Sequence, residues 1–472
     1  MSGGASNRTA RCVLAATSVS YMIVLLDASI VNVALKAIGH TLGSDVAGLQ
    51  WVVNAYTLTF ASLLLTGGTL GDRLGSRNVY LAGLAVFALA SALCGVAPKL
   101  AALTLARALQ GIGSAMLVPC SLALINHAYP EPARRAAAVS LWMGCGGVAM
   151  AAGPLIGGLL IHWLGWRSIF FVNVPIGLAG IGLTLSVERD AALMRRHFDW
   201  PGQAAAIAAL GTLIAVLIEG AVLGWTSAVI LAGIVVCVLA WTAFIVIEAR
   251  GRNPMLPLHF FRSALFSGST IVSMASAFVF YGMLFTFSLF FQQERGDSPL
   301  DAGLAFLPMT VMVALGGLGS SRLVKGFGER GSMCAAFGLY AAGALGMTLS
   351  TARSPYWMAI APMLAIGLAS GFISPAATSP ALGTVEKSRA GVAAAVLNSA
   401  RQSGAALGVA IFGTFISSLH AFQAAMNVAL GVVVAVSAVA AAVWWTTSRR
   451  HSTNDRGARA AVAPRECGAS HE

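Results

Sequence analysis

Apolar runs of about twenty residues recur along the whole chain, separated by short polar links, and this pattern leaves few folds available. The runs lie near 12–36, 48–70, 79–98, 101–126, 136–161, 167–187, 203–222, 228–248, 264–291, 300–321, 332–351, 356–379, 390–418 and 424–447, fourteen in all. A helix crosses the hydrocarbon of a bilayer in about 20 residues, and only helices or closed barrels satisfy their backbone there. Hydrophobic residues make up 57% of the 472 positions and charged residues 10%, against about 25% charged in ordinary globular proteins. The chain is therefore expected to be an all-α polytopic membrane protein with lipid as its solvent.

The basic residues test the count of spans. With the N-terminus in the cytoplasm, the inside segments hold Arg8 and Arg11, Arg73 and Arg77, Arg134 and Arg135, and Arg189, Arg195 and Arg196. They continue with Arg250, Arg252 and Arg262, then Arg322, Lys325 and Arg330, then Lys387 and Arg389, and a tail bearing Arg449, Arg450, Arg456, Arg459 and Arg465. That is twenty-two inside, against five outside (Lys36, Lys99, Arg167, Arg295 and Arg353), with Arg107 and Arg401 within spans. A missed span would invert every later link and destroy the asymmetry, so an inner (plasma) membrane protein with both termini cytoplasmic is expected. Arg8 and Arg11 before an apolar run imitate a secretory signal, but the run continues past Asp27 and Asn32 with no A-x-A site, which reads as a retained first span. The net charge of +12 is spread between spans rather than gathered in a patch, so no nucleic-acid partner is expected.

The spans fall into blocks: a six-helix bundle at 1–187, a link at 188–263 carrying two extra spans, a second six-helix bundle at 264–447, and a polar, cytoplasmic, disordered tail at 448–472. A weak repeat ties the two bundles together. GGTLGDRLGSRN follows the second run and SSRLVKGFGERG the tenth; aligned, Leu70 meets Leu323, Gly75 meets Gly328 and Arg77 meets Arg330, while Asp72 meets Lys325. Internal repetition of this kind is common in secondary transporters.

Several stretches, in order, resemble the major facilitator superfamily, and within it the fourteen-span drug:proton antiporters of the EmrB/QacA type. They are LLDASIVNVALKAIG (25–39), the link from Gly68 to Arg77, LARALQGIGSA (105–115), GVAMAAGPLIGG (147–158), GWRSIFFVNVPIG (165–177), FDWPG (198–202), FQQERGDSPLDAGLAFLP (291–308) and AGVAAAVLNSARQSGAALGVA (390–410). The resemblance runs from about residue 20 to residue 420. Lys36 stands where the family usually has Pro, and Ser76 and Asn78 replace commoner basic residues. The resemblance implies a major facilitator fold, two six-helix bundles plus two central helices, working by alternating access.

Charged side chains at mid-membrane cost roughly 2.5–3.5 kcal/mol on insertion scales and are retained for function or by pairing. Asp27 and Arg107 are the clearest cases, expected to carry the coupling proton and its counter-charge; a static structural pair is the alternative. The resemblance assigns a gating loop to Gly68, Asp72, Arg73, Gly75 and Arg77 and an antiporter motif to Gly153, Pro154, Gly157 and Gly158, where glycines permit close helix approach and the proline deletes a backbone hydrogen bond. Candidates for a substrate cavity are Asn32, Tyr56, Gln110, Asn398, Arg401 and Gln402. Glu219 reads as a residue of the outer interface, and Trp51 either lines a substrate path or anchors the span at that interface. Seven scattered cysteines, eight scattered histidines and the lack of a Walker loop give no expectation of metal, cofactor or enzymatic activity. The function expected is proton-coupled efflux of a hydrophobic or amphiphilic compound, with proton-coupled import of a small organic solute as the alternative on the same fold; a periplasmic adaptor is not decided by the sequence.

Overall fold

The computed structural model describes residues 3–185, 199–251, 255–386, 389–419 and 421–462. The expected cytoplasmic charges Arg189, Arg195, Arg196, Arg252, Lys387 and Arg465, and most of the segment expected to link the first bundle to the extra spans, lie outside those residues. All regular structure in the described part is helical. The helices are α1 (Gly3–Leu42), α2 (Val46–Leu74), α3 (Ser76–Gly95), α4 (Leu100–Ala128), α5 (Pro132–Leu164), α6 (Ser168–Phe171), α7 (Asn173–Leu185), α8 (Trp200–Leu223) and α9 (Ala228–Arg250). They continue with α10 (Ala264–Leu289), α11 (Pro299–Ala305), α12 (Leu307–Met347), α13 (Trp357–Gly383), α14 (Ala390–Ser418) and α15 (Phe422–Val462). A 3₁₀ turn precedes α10, and a π-turn, Phe290–Glu294, extends it.

Twelve helical stretches among the described residues are long and apolar enough to cross a membrane, which makes the chain an all-α polytopic membrane protein. The sequence pattern predicts fourteen, and the difference has two sources. Helix α14 falls outside the twelve because Asn398, Ser399, Arg401, Gln402 and Ser403 interrupt its apolar run. The runs at 300–321 and 332–351 join as one helical stretch, Pro299–Met347. That stretch is broken at Gly328, whose φ of 74° and ψ of 160° are non-helical. Its two ends also lie together: Arg295 Nη1 donates to Ser354 O at 2.7 Å, and Tyr356 OH donates to Ala305 O at 3.0 Å. The chain must therefore double back within it. At the other end of the sequence, α15 keeps a helical backbone to Val462, where composition alone predicts a disordered tail; residues 463–472 lie outside the described part.

The repeat seen in sequence has a geometric counterpart. Gly75 (φ 88°) turns the chain between α2 and α3 as Gly328 (φ 74°) does within α12, a backbone region that is strained for residues with a Cβ. Two residues on, Arg77 donates to Thr184 O at 3.3 Å and Leu185 O at 3.1 Å at the end of α7. Arg330 donates to Ser448 Oγ at 3.1 Å and Ser448 O at 2.6 Å near the end of the apolar part of α15. Each arginine donates to main-chain oxygens of a helix packed beside it.

Helix contacts divide into two groups, α1–α7 and α10–α15, with α8 packed on α2, α14 and α9. Helix α9 is apolar nearly all round, and Val229, Val235, Val238 and Leu239 are exposed, as lipid-facing side chains are. The two groups share a seam that is not uniform along its length. Toward one end a single apolar core runs from Ile30, Leu35, Val52 and Ile161 to Met283, Phe291, Phe306 and Met309. Toward the other, Val13, Tyr80, Leu124 and Ala138 form one core and Phe260, Ala381, Ala393 and Val396 another. Gly144 and Gly147 on α5 and Gly319 and Gly326 on α12 have nothing within 4 Å of where a Cβ would stand.

Candidate functional site

Helix α1 brings Asp27 into the interior one turn before its closest packing with α5, and α4 brings Arg107 to meet it. Their exposures are 0% and 1%. Arg107 Nη1 and Asp27 Oδ2 form an ion pair in direct contact. Asp27 Oδ1 accepts from Gln110 Nε2 at 2.8 Å and from Asn173 Nδ2 at 2.9 Å. Arg107 also donates to Gln110 Oε1 at 2.7 Å and to Val52 O at 3.1 Å, and its guanidinium lies 4.3 Å from the Tyr56 ring centroid. Gln110 Nε2 reaches Ser91 Oγ at 2.8 Å; Tyr56 OH donates to Val24 O at 3.2 Å and accepts from Ser114 Oγ at 3.0 Å.

Five helices thus converge on one carboxylate supplied with three donors. Burying a charge is tolerated when it is paired and its remaining lone pairs are hydrogen-bonded, and both conditions hold for the ionised form. A proton placed on Asp27 would remove the charge that Arg107 faces and compete with a donor already present. Asp27 is fully enclosed by the helices around it.

The sequence joined Asp27 to Arg107 and, separately, named Tyr56 and Gln110 as cavity candidates; the structure gathers all four into this network. Asn173 was missed. It is the lone amide in the apolar run FFVNVPIG, and its polarity inside a span was the available signal. Ser91 gave no signal, being a small residue compatible with plain packing.

The remaining candidates lie elsewhere. Asn32 sits at the seam, where its carbonyl accepts from Ser288 Oγ of α10, and one turn on Lys36 Nζ donates to Gln292 O in the π-turn. Gln50 of α2 joins the same end by donating to Val409 O at 3.1 Å and Ala410 O at 2.6 Å. In the GPLIGG stretch, a Cβ on Gly153 would strike Ser29, and one on Gly157 would lie 2.7 Å from Ile30 Cγ1, both on α1. Gly158 faces the other way, 2.7 Å from Pro299 O by the same measure, and Gly303 packs against Pro154 O. These glycines therefore hold α5 to α1 on one side and to α11 on the other. Of the expected gating loop, only Gly75 lies between helices: Gly68, Asp72 and Arg73 belong to α2 and Arg77 to α3; Gly68 is near Pro119, Gly71 packs on Cys120, Asp72 is half-buried and Arg73 exposed. Asn398, Arg401 and Gln402 are partly exposed on α14. Glu219 accepts from Trp51 Nε1 at 2.8 Å, which ties α8 to α2.

A profile described as the Major Facilitator Superfamily matches residues 17–197 and 202–409. The methylenomycin A resistance protein of Streptomyces coelicolor is 36% identical over 406 residues, 86% of this chain and 85% of its own. The protein of the same name in Bacillus subtilis is 34% identical over 448 residues, 95% of this chain and 96% of its own. Among solved structures, an auto-inhibited POT family peptide transporter superposes with a TM-score of 0.68 at 15% identity, covering 94% of this chain and 97% of that one; at that identity the likeness concerns the fold.

Proposed function

This chain belongs to the Major Facilitator Superfamily, and from that membership we propose that it exports a hydrophobic or amphiphilic compound in exchange for protons, by alternating access. It is a multi-pass plasma-membrane transporter related to antibiotic-resistance proteins, and not an enzyme. The observation that carries the proton-coupled reading is the enclosed Asp27 with its three donors. Protonation of Asp27 frees Arg107, the helices around the network shift, and the seam that is closed at one end opens while the other closes. Loss of the proton restores the ion pair and the starting state. Asp72, Arg73 and the Gly68–Arg77 link are assigned to holding one of these states, and Gly153, Pro154, Gly157 and Gly158 to keeping the α5 seam tight against leak.

We further assign the fourteen-span topology of the EmrB/QacA type: bundles at 1–187 and 264–447, two added spans within 188–263, and both termini cytoplasmic. The doubling-back at Gly328, the paired roles of Arg77 and Arg330 and the distribution of lysine and arginine support it. In this orientation the continuous core of the seam closes the outer side, and the chain faces inward.

Everted vesicles containing the full chain test the coupling. With an acidic interior set up beforehand, adding a transported compound should discharge the pH gradient. Asp27→Asn should abolish that discharge while leaving protein in the membrane. Discharge at the original rate would overturn the role given to Asp27.

A further inference from the structure

Where α8 begins and α9 ends, two carboxylates come together. Asp199, in FDWPG, is the N-cap of α8, and its Oδ1 accepts from Gly202 N at 2.9 Å. Glu248 stands in the last turn of α9 and is 2% exposed. The link that follows α9 folds back onto both acids. Met255 N donates to Asp199 Oδ2 at 3.3 Å, and Leu256 N donates to Glu248 Oε2 at 2.9 Å. Gly202 makes the approach possible: a Cβ there would strike Asp199 Oδ2 and stand 2.9 Å from Glu248 Oε1, so both oxygens crowd one point.

Three of the four carboxylate oxygens thus have a backbone donor, and the fourth, Glu248 Oε1, is buried without one among the described residues. Among those residues, no lysine or arginine forms an ion pair with either acid. Of the charged groups on the elements around them, Arg73, Arg250 and Arg262 are exposed, and Asp72 and Arg401 are half-buried. Arg389 meets His259 at 3.0 Å, and Arg252 lies outside the described residues. The helix dipoles treat the two acids differently. An anion is favoured at Asp199, beside the free N–H groups that open α8, and disfavoured at Glu248, among the last carbonyls of α9. A buried carboxylate oxygen with no donor is costly when charged, and becomes a donor itself when protonated. Two like charges at one point are not both held ionised without cost.

We propose that Asp199 and Glu248 hold one proton between them, carried on Glu248 Oε1 and shared with Asp199 Oδ2, as a second proton site separate from Asp27. The proton comes from water and returns to it, and no other bond changes. While it is held, the start of α8, the end of α9 and the link at Met255 and Leu256 are fastened together. Once it leaves, the two carboxylates repel and the link is released. That link carries Leu256 and Phe260 into a core with Leu65 of α2, Ala381 of α13 and Ala393 and Val396 of α14. Gln203 of α8 ties the same corner to α2 by donating to Ser62 O at 2.9 Å. The pair therefore sets, according to pH, how firmly the added helices hold the ends of both halves. In the topology proposed above this corner faces the cytoplasm, so the pH it senses is internal.

The test uses the full chain, purified, with Asp27→Asn as the background so that this site is read apart from the Asp27 network, and with a chelator present to remove metal ions. Infrared difference spectra between mildly acidic and mildly alkaline pH should show a protonated-carboxyl band that is lost on the alkaline side. Glu248→Gln should remove the band, because its amide donates to Asp199 without a titrating proton. Asp199→Asn, which keeps the N-cap, should move the loss of the band to more acidic pH by removing the like charge. Amide hydrogen exchange over residues 255–262, corrected for the intrinsic effect of pH, should quicken several-fold across the same range. In Glu248→Gln it should stay flat. The band in the background protein needs neither further variant to fold. Its absence there overturns the shared proton, as does a band that survives Glu248→Gln, or exchange that changes alike with and without that substitution. Gradient discharge that persists in Asp27→Asn would refute the coupling proposed above and leave this site untouched.

Discussion

Asp27 and Arg107 are each tolerable only because of the other, and this makes their substitutions unequal. Removing the positive partner of a buried pair strands a charge, at a cost of about 3–5 kcal/mol, whereas replacing both members by neutral groups is often close to neutral. Arg107→Gln should therefore lower the thermal stability of the purified protein markedly. The double variant Asp27→Asn/Arg107→Gln should recover much of the loss although it transports nothing. A double variant less stable than Arg107→Gln would mean that the pair is not the main term. Asn173→Ala removes one of three donors to Asp27 and should slow exchange several-fold without comparable loss of stability, measured as the rate of gradient discharge per unit protein. The sequence disclosed the charges of this network because charge within an apolar run stands out. It did not disclose Asn173 or Gln50, because a single amide in such a run has no spacing pattern to identify its partner, which lies on another helix far along the chain.

At the scale of the helix, the glycines of α5 divide the work between its faces. Gly157 packs against Ile30 within one group of helices, and Gly158 against Pro299 of the other. Leucine at Gly157 should damage folding of the first group, and the same change at Gly158 should instead hold the seam apart. The second is measured by cysteine labelling: Ser288→Cys, buried at the seam beside Asn32, should become reactive to a polar maleimide in the Gly158→Leu background and remain protected otherwise. Protection in both backgrounds would remove Gly158 from the seam. The hydropathy of the sequence marked where these helices run, since any span needs a long apolar segment. It could not show which side of α5 meets α11, because both sides are lined with small residues and a period of 3.6 residues looks alike on each. It likewise could not foresee that the tenth apolar run continues as helix into the link at Gly328, since a short turn of Gly, Glu and Arg leaves hydropathy unchanged.

Across the whole molecule, the number of crossings between two points fixes whether they share a face, and this separates thirteen spans from fourteen. If Pro299–Met347 crosses once, Asp297 and Arg353 lie on opposite faces; if it turns at Gly328 and crosses twice, they share one. The bond from Arg295 to Ser354 O joins those two links directly, and a helix of about 1.5 Å rise per residue cannot leave a bilayer and end where it began without a turn. The same parity places Met255 and the end of α15 together, six crossings apart. Single cysteines at Asp297, Arg353, Met255 and Arg459, in cells treated with a membrane-impermeant thiol reagent, should label as two pairs: the first pair from outside, the second only after the membrane is opened. Labelling of Asp297 and Arg353 from opposite sides would restore a single crossing there, and it would invert α13 to α15, setting Arg389 and the arginines of the tail on the face that the rest of the chain keeps poor in positive charge.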